Sequence, residues 1–113
     1  IFQIPGRSAA MTAMTAATID QLSGGRMILG IGSSGPQVSE GWHGVRFGQQ
    51  LARTRDYVAV LRMALARERV EYKSDTLELP LPDGPGKAVL HLAGMLARST
   101  RSLITPTRPV GPS

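Results

Sequence analysis

Two short apolar runs with a helical segment between them constrain the fold of this chain most. Residues 1–4 and 27–31 are almost wholly apolar, and turn-forming Pro and Gly residues follow the first run. Residues 8–22 favour a helix, with Ser8 as the N-cap and glycines just beyond the last turn. Two buried strands joined through a helix are typical of a parallel α/β sheet that is covered on both faces.

The helical segments are predicted to be amphipathic, with apolar residues repeating at three- and four-residue steps. In the first helix this face comprises Met11, Met14, Thr15, Thr18, Ile19 and Leu22, and the opposite side carries Ala13, Ala16, Ala17 and Asp20. A longer helix is predicted over residues 49–69, with one face comprising Leu51, Thr54, Val58, Leu61 and Leu65. We expect both apolar faces to be the packed ones.

The remaining segments are shorter. Residues 37–48 contain three glycines and are predicted to be irregular. Residues 70–72 and 76–79 alternate apolar with polar side chains, so they are predicted to form a hairpin with its turn at 73–75. A rigid Pro- and Gly-rich loop follows at 80–86.

Composition excludes several classes of function. The chain has 113 residues, enough for one small domain, and a formal net charge of +5. It has no Cys, which excludes disulfides, thiolate zinc sites and a Cys nucleophile. Its two His residues, His43 and His91, are far apart, so we expect no metal site. No apolar run approaches the roughly 20 residues of a membrane span, and we expect no membrane partner.

A parallel sheet also indicates where a ligand would bind. An open doubly wound sheet and a (β/α) barrel both fit the order of elements, and in either fold ligands bind at the carboxyl ends of the strands. This places the expected site at residues 5–7 and 32–38. A barrel needs roughly 250 residues, so this chain would be only part of one.

The glycine-rich loop after the second strand permits three interpretations. Residues 30–35 match G-x-G-x-x-G, the dinucleotide fingerprint. That fingerprint also requires a helix directly after the loop and an acid about 20 residues on, and Asp56 is the nearest candidate. Alternatively, the glycines only permit a tight turn, or they let backbone N–H groups approach an anionic or carbonyl-rich cofactor.

Several longer segments closely resemble the luciferase-like monooxygenase family. They read FQIPGRS at 2–8, MTAMTAAT at 11–18, LSGGR at 22–26 and LGIG at 29–32. Further segments are similar to the branch of that family that depends on coenzyme F420, namely SGPQVSEGWHG at 34–44, LARTR at 51–55, LPLP at 79–82 and GPGK at 84–87. The resemblance covers about residues 1–87.

The resemblance implies a partial (β/α)8 TIM barrel of the luciferase-like type, truncated at both ends. It implies an oxidoreductase that uses coenzyme F420, with FMN as the alternative, for hydride transfer to or from a small-molecule substrate. The cofactor-binding residues it implies are Ile1 and Phe2, at a strand bulge that is often a non-proline cis peptide, and Ser33, Ser34, Gly35, Pro36, Gln37 and Val38. It assigns no catalytic residue. His43 is either a proton donor near the substrate or a structural residue, and Arg7 either meets an anion or forms a surface ion pair.

The chain departs from the family pattern after residue 87. Residues 88–113 carry three Arg and no acid, and they are predicted to be a basic Pro/Arg/Ser-rich tail that is disordered or arises from a shifted reading frame. The chain alone is then expected to be inactive.

Rival hypotheses are a small nucleotide-binding α/β module using residues 30–35 and an inactive remnant that binds polyanions weakly. We expect a cytoplasmic protein without a specific nucleic-acid partner, and a parent enzyme that could be a homodimer.

Overall fold

A pair of parallel strands and a pair of packed helices form the centre of the fold. The computed structural model describes residues 1–86 and 88–92. Its elements are β1 (Phe2–Gln3), a 3₁₀ turn (Ile4–Gly6), α1 (Ala9–Leu22), β2 (Ile31–Gly32), α2 (Pro36–Gly41), α3 (Gln50–Leu65), β3 (Tyr72–Lys73) and β4 (Glu78–Leu79). Beyond residue 92 the predicted basic tail of residues 88–113 lies outside the described residues.

The strands β1 and β2 pair in parallel, as the sequence predicted. Phe2 lies opposite Ile31 and Gln3 opposite Gly32, and the Phe2 N–H donates to the Gly30 carbonyl at 2.8 Å. Both strands are shorter than predicted. The first ends at Gln3 because Pro5 lies in a 3₁₀ helix that follows it. The described residues thus form a small α/β unit with an open two-stranded parallel sheet.

Helix α1 begins and ends where its capping residues predicted. The Ser8 hydroxyl accepts a hydrogen bond from the Met11 N–H at 3.1 Å. At the other end Gly24 and Gly25 have φ values of +70° and +86°, a conformation that glycine adopts without strain. The N–H of Gly25 donates to the Asp20 carbonyl at 2.8 Å and closes the last turn.

The predicted buried face of α1 was wrong. Ala13, Ala16 and Ala17 are fully buried, whereas Met11 is 51% exposed and Leu22 is 82% exposed. Helix α1 packs against α3, and the distance between two packed helices depends on the side chains at their contact. Alanine keeps that distance short, so the small side chains face the core and the larger ones face outward.

The buried face of α3 is also rotated from the predicted one. Leu51 is 89% exposed, and Leu61 and Leu65 are the members of the predicted face that are buried. The buried residues of α3 are Asp56, Tyr57, Val60, Leu61, Ala64 and Leu65. The helix ends at Leu65 rather than at residue 69, and Arg67 beyond it has a left-handed φ of 66°.

Two small clusters make up the core between these helices. The first joins alanines of α1 to the second half of α3 and comprises Ala13, Ala17, Leu61, Ala64 and Leu65. The second lies nearer the helix starts and comprises Ala9, Tyr57 and Val60, with side chains of both strand pairs against it. The strands and the hairpin therefore pack on these two helices.

Two connections complete the fold. Residues 37–48 were predicted to be irregular, but α2 forms over Pro36–Gly41, with Pro36 in the first turn, where its missing N–H costs nothing. The predicted hairpin is confirmed, with Tyr72 opposite Leu79 and Lys73 opposite Glu78. Its turn lies at 74–77, slightly later than predicted, and the Ser74 N–H donates to the Leu77 carbonyl at 2.8 Å. Within the described part of the chain, no helix is long and apolar enough to cross a membrane.

The alanine face of α1 gives the first testable prediction. Ala17→Leu should lower the free energy of unfolding by about 1–3 kcal/mol, because the larger side chain overpacks the contact with α3. Met14→Ala, on the half-exposed face, should change it by less than about 0.5 kcal/mol. Urea unfolding of both variants measures this difference. A larger loss for Met14→Ala would mean that the opposite face of α1 is the packed one.

Candidate functional site

The carboxyl ends of β1 and β2 lie side by side, because parallel strands end at the same edge of a sheet. The 3₁₀ turn Ile4–Gly6 follows β1 at this edge, and residues 33–38 follow β2. The structure therefore brings together the two segments that sequence reasoning named.

Ile1 lies at the opposite end of β1, and its side chain approaches the backbone of Gly30 and Gly32. The peptide bond between Ile1 and Phe2 is not cis, although the resemblance implied that a bulge near these residues is often a cis peptide.

A cavity of about 470 Å³ opens at this edge, and we call it the arginine cavity. It lies between the segments that lead into α1 and α3, with the hairpin as a further wall. The side chains that line it from the β1 and β2 ends include Ile4, Pro5, Arg7 and Ser33; those from the second half of the chain include Arg46, Phe47, Arg53, Tyr57, Thr76 and Leu77. Of the eight predicted cofactor-binding residues, Ser33 is the one that lines it.

A second cavity, of about 530 Å³, lies on the other side of the loop, and we call it the histidine cavity. It is lined by Gln3, Gln37, Val38, Gly41, Trp42 and His43, so it contains two more of the predicted residues. Ser34, Gly35 and Pro36, in the middle of the loop, line neither of these two cavities. Ser34 has a left-handed φ of 65°, which makes the chain turn sharply between them.

His43 is held against the end of β1. Its Nε2 lies 2.8 Å from the Gln3 Oε1, and an amide oxygen can only accept, so Nε2 carries the hydrogen and donates it. A Cβ on Gly6 would lie 2.9 Å from the His43 Cε1, so the absence of a side chain at Gly6 lets the ring approach. In the neutral ring Nδ1 is then the acceptor atom.

Tyr57 fixes the backbone that carries Arg7. The buried Tyr57 hydroxyl donates to the Arg7 carbonyl at 2.9 Å and also lies 3.2 Å from the Ser8 carbonyl. It shares a further hydrogen bond with the Thr12 hydroxyl. Burial raises the pKa of Tyr57, so its hydroxyl keeps its proton and remains a donor. The start of α1 is thereby tied to the middle of α3.

Arg7, Arg46 and Arg53 all line the arginine cavity, and no Asp or Glu is among its lining residues. The guanidinium of Arg7 also lies 4.7 Å from the centre of the Phe2 ring. Sequence reasoning named Arg7 but missed the other two. Gln50, Arg53 and Tyr57 are spaced by three and four residues on α3, a signal that could have placed Arg53 on the face with Tyr57.

Asp56, the acid that a dinucleotide site would use, has a different role. Its side chain is 2% exposed and accepts hydrogen bonds from the hydroxyls of Tyr72 at 2.7 Å and Ser74 at 2.6 Å. The Thr76 hydroxyl donates a third. These bonds, from Ser74 first, then Thr76 and Tyr72, lower the pKa of Asp56 to about 2. The carboxylate anchors the hairpin to α3.

No group of three or more potential metal ligands occurs among residues 1–86 and 88–92. The site as described offers backbone atoms of a tight loop, one oriented imidazole, an exposed indole and three guanidinium groups. That combination suits an organic ligand with a planar polar part and an anionic part.

Residues 1–103 match the sequence model of the luciferase-like monooxygenase family. A coenzyme F420-dependent oxidoreductase of Mycobacterium tuberculosis is 54% identical over 68 residues, which are 60% of this chain and 20% of that relative. A 5,10-methylenetetrahydromethanopterin reductase of Methanolobus tindarius is 36% identical over 72 residues, 64% of this chain and 22% of that relative. The matched part of the chain thus spans about a fifth of the length of these relatives. No solved structure matches it significantly.

The Asp56 anchor predicts how stability depends on pH. The folded-state pKa of about 2 lies below the ordinary value of 3.8, so the carboxylate stabilises the fold above pH 4, and this contribution is lost as the pH falls towards 2. Asp56→Asn should therefore be less stable at neutral pH and should lack this part of the pH dependence. Asp75→Asn, in the exposed turn, is the control. Unfolding curves at several pH values measure the effect, and equal behaviour of the two variants would contradict it.

The contact between His43 and Gln3 predicts one ring tautomer. In the neutral imidazole Nε2 should carry the hydrogen in the parent chain, and Gln3→Ala should weaken that preference because the acceptor is removed. Nitrogen-15 chemical shifts of the His43 ring distinguish the two tautomers. Gln37→Ala is the matched control, since Gln37 lines the same cavity and has no hydrogen bond to His43. A parent ring with the hydrogen on Nδ1 would exclude the Gln3 contact.

Proposed function

The chain belongs to the luciferase-like monooxygenase family, and we propose that it is part of a cytoplasmic oxidoreductase that binds coenzyme F420 at the carboxyl edge of β1 and β2. Its mycobacterial relative carries that cofactor in its name, which supports this choice of ligand. FMN is the alternative. In this proposal β1 and β2 are neighbouring strands of a (β/α)8 barrel, and the other strands belong to parts of the enzyme that this chain does not include.

The pairing of β1 with β2 is the observation that carries the proposal. It sets the loop of residues 33–38 beside the turn at Ile4–Gly6, with one cavity on each side. This is the edge at which parallel α/β folds bind ligands. A solvent-facing loop with no cavity beside it would have favoured the interpretation of the glycines as mere turn formers.

The residues present fit a deazaflavin or a flavin. A Cβ on Gly35 would meet nothing closer than the Gln37 Oε1 at 3.8 Å, so Gly35 leaves a stretch of backbone open to a flat ring. Peptide N–H groups of residues 33–38 can donate to ring carbonyls. The cofactor, when bound, supplies the hydride chemistry. The chain holds the ring and, through His43 Nδ1, offers a proton acceptor beside the histidine cavity.

Two rival functions make different predictions for binding. A dinucleotide module needs a free acid, but Asp56 is committed to the hairpin, and α2 has only 6 residues after the loop. An inactive remnant would bind polyanions in a salt-sensitive way. Titration with coenzyme F420, FMN, NAD and duplex DNA separates these cases, since each hypothesis expects a different ligand to bind.

Gly35→Val tests where the ring lies. Gly35 has an ordinary φ of −129°, so valine fits the backbone and should leave the fold intact. Its branched side chain should nevertheless obstruct the ring and weaken coenzyme F420 binding at least about tenfold, or about 1.4 kcal/mol. Gly86→Val also adds a side chain in open space, but away from the site, and should not change the dissociation constant. Fluorescence titration of the complete enzyme measures both. Equal affinities for the two variants would place the ring elsewhere.

A further inference from the structure

The segment between α2 and α3 supplies walls to both cavities. It lines the histidine cavity with Trp42 and His43 and the arginine cavity with Val45, Arg46 and Phe47. We call residues 42–47 the shared loop. A single residue separates its two groups of lining side chains, so a movement of this loop changes the shape of both cavities at once.

Two neighbouring residues of α2 hold the shared loop in place. The buried Ser39 hydroxyl donates to the Val45 carbonyl at 2.7 Å, and the Ser39 carbonyl accepts from the Val45 N–H at 2.9 Å. The carboxylate of Glu40, which is exposed, accepts from the Phe47 N–H at 3.0 Å. Ser39 therefore closes the first half of the loop, and Glu40 holds the second half, which lines the arginine cavity.

The backbone at the two glycines of this segment lies at an open surface. Gly44 has a φ of +69° and Gly48 a φ of +149°, and a Cβ on either of them would meet no atom within 4 Å. Packing at these two points therefore does not restrain the segment. The shape of the shared loop depends instead on its hydrogen bonds to α2, and a bond to an ionised carboxylate is one of the stronger kinds.

Glu40 lies where a helix does not favour a carboxylate. It is the last residue but one of α2, and the carboxyl end of a helix dipole repels negative charge. Glu40 lines neither cavity, so it does not touch a ligand in either of them. Its side chain instead reaches forward to an N–H of the shared loop. A role in positioning that loop accounts for an acid at this place.

We propose that Glu40 is a positioning residue for both cavities. Its bond to the Phe47 N–H fixes the second half of the shared loop, and the short connection back to His43 carries this restraint to the histidine cavity. The orientation of the imidazole then depends on Gln3 on one side and, through the loop, on Glu40 on the other. The proposal rests on the proposed function where it concerns the cofactor, since the two cavities flank the loop assigned to that ligand.

The test compares three variants of the complete enzyme that contains this segment. Glu40→Ala removes the acceptor, Glu40→Gln keeps an oxygen that can accept from the Phe47 N–H, and Glu68→Ala makes an equal charge change at an exposed position beyond α3. Hydrogen–deuterium exchange is followed in peptides that cover residues 42–47 and, as a reference for the whole fold, residues 9–22. The nitrogen-15 shifts of the His43 ring and the dissociation constant of coenzyme F420 are measured on the same variants.

Glu40→Ala should speed exchange within residues 42–47 and leave residues 9–22 unchanged. It should lower the fraction of His43 that carries its hydrogen on Nε2, and it should raise the dissociation constant about fivefold, as expected for the loss of one hydrogen bond. Glu40→Gln should restore most of all three properties, because the acceptor is kept. Glu68→Ala should match the parent enzyme in each measurement.

Each other outcome contradicts the proposal in a recognisable way. Faster exchange in residues 9–22 as well would mean that Glu40 supports the whole fold. Equal effects of Glu40→Gln and Glu40→Ala, or an effect of Glu68→Ala, would assign the result to charge rather than to the hydrogen bond. Faster exchange in the shared loop with an unchanged His43 ring would mean that the two cavities are independent.

The proposed function fails separately from this inference. If the parent enzyme bound no deazaflavin or flavin, the proposed function would be overturned. The exchange and ring-nitrogen measurements need no cofactor, so they would still decide whether Glu40 positions both halves of the shared loop. Cofactor binding that ignores Glu40→Ala would overturn this inference and leave the proposed function intact.

Discussion

The close packing of α1 on α3 holds the rest of this structure in place. Alanines let the two helices approach, and the Tyr57 hydroxyl links the start of α1 to the middle of α3. The strands are too short to hold themselves, because a two-residue parallel pair contributes few hydrogen bonds. Their position depends on the side chains of Ile4 and Ile31, which pack on the cluster around Tyr57. The edge where the candidate site lies is thus a consequence of helix packing.

Local signals in the sequence predicted where α1 begins and ends, and the alternation of apolar runs and helical segments predicted the order of the main elements. Ser8 and the glycines after Leu22 act through atoms close in the chain, so their effect is visible without the fold. Which face of α1 and of α3 is buried depends on how the two helices pack against each other. Hydrophobicity alone favours burial of Met11 and Leu22. The close contact with α3, however, accommodates only small side chains, and alanine is small enough. Helix α2 was missed because three nearby glycines outweighed the helix-starting signal of Pro36.

The site was predicted in part for a similar reason. The location of the loop at residues 33–38 follows from parallel pairing and needs no side-chain detail. Its division between two cavities depends on the left-handed turn at Ser34 and on the segments that close around it. The convergence of Arg7, Arg46 and Arg53 requires residues far apart in sequence to meet, which no spacing rule reveals. Resemblance to a family supplied the expected ligand, but it did not point to Arg46 or Arg53.

The anchor of the hairpin has a mechanical consequence. Thr76 both donates to Asp56 and lines the arginine cavity, and its neighbour Leu77 lines the cavity as well. One wall of the cavity is therefore clamped from behind by a carboxylate on α3, and its stiffness is set by a group that faces away from any ligand. Residues on the outer side of the hairpin can vary without loosening this wall, provided the clamp remains. The exposed side chains of the hairpin can therefore change while the shape of the cavity is kept, as long as the three donors to Asp56 stay in place.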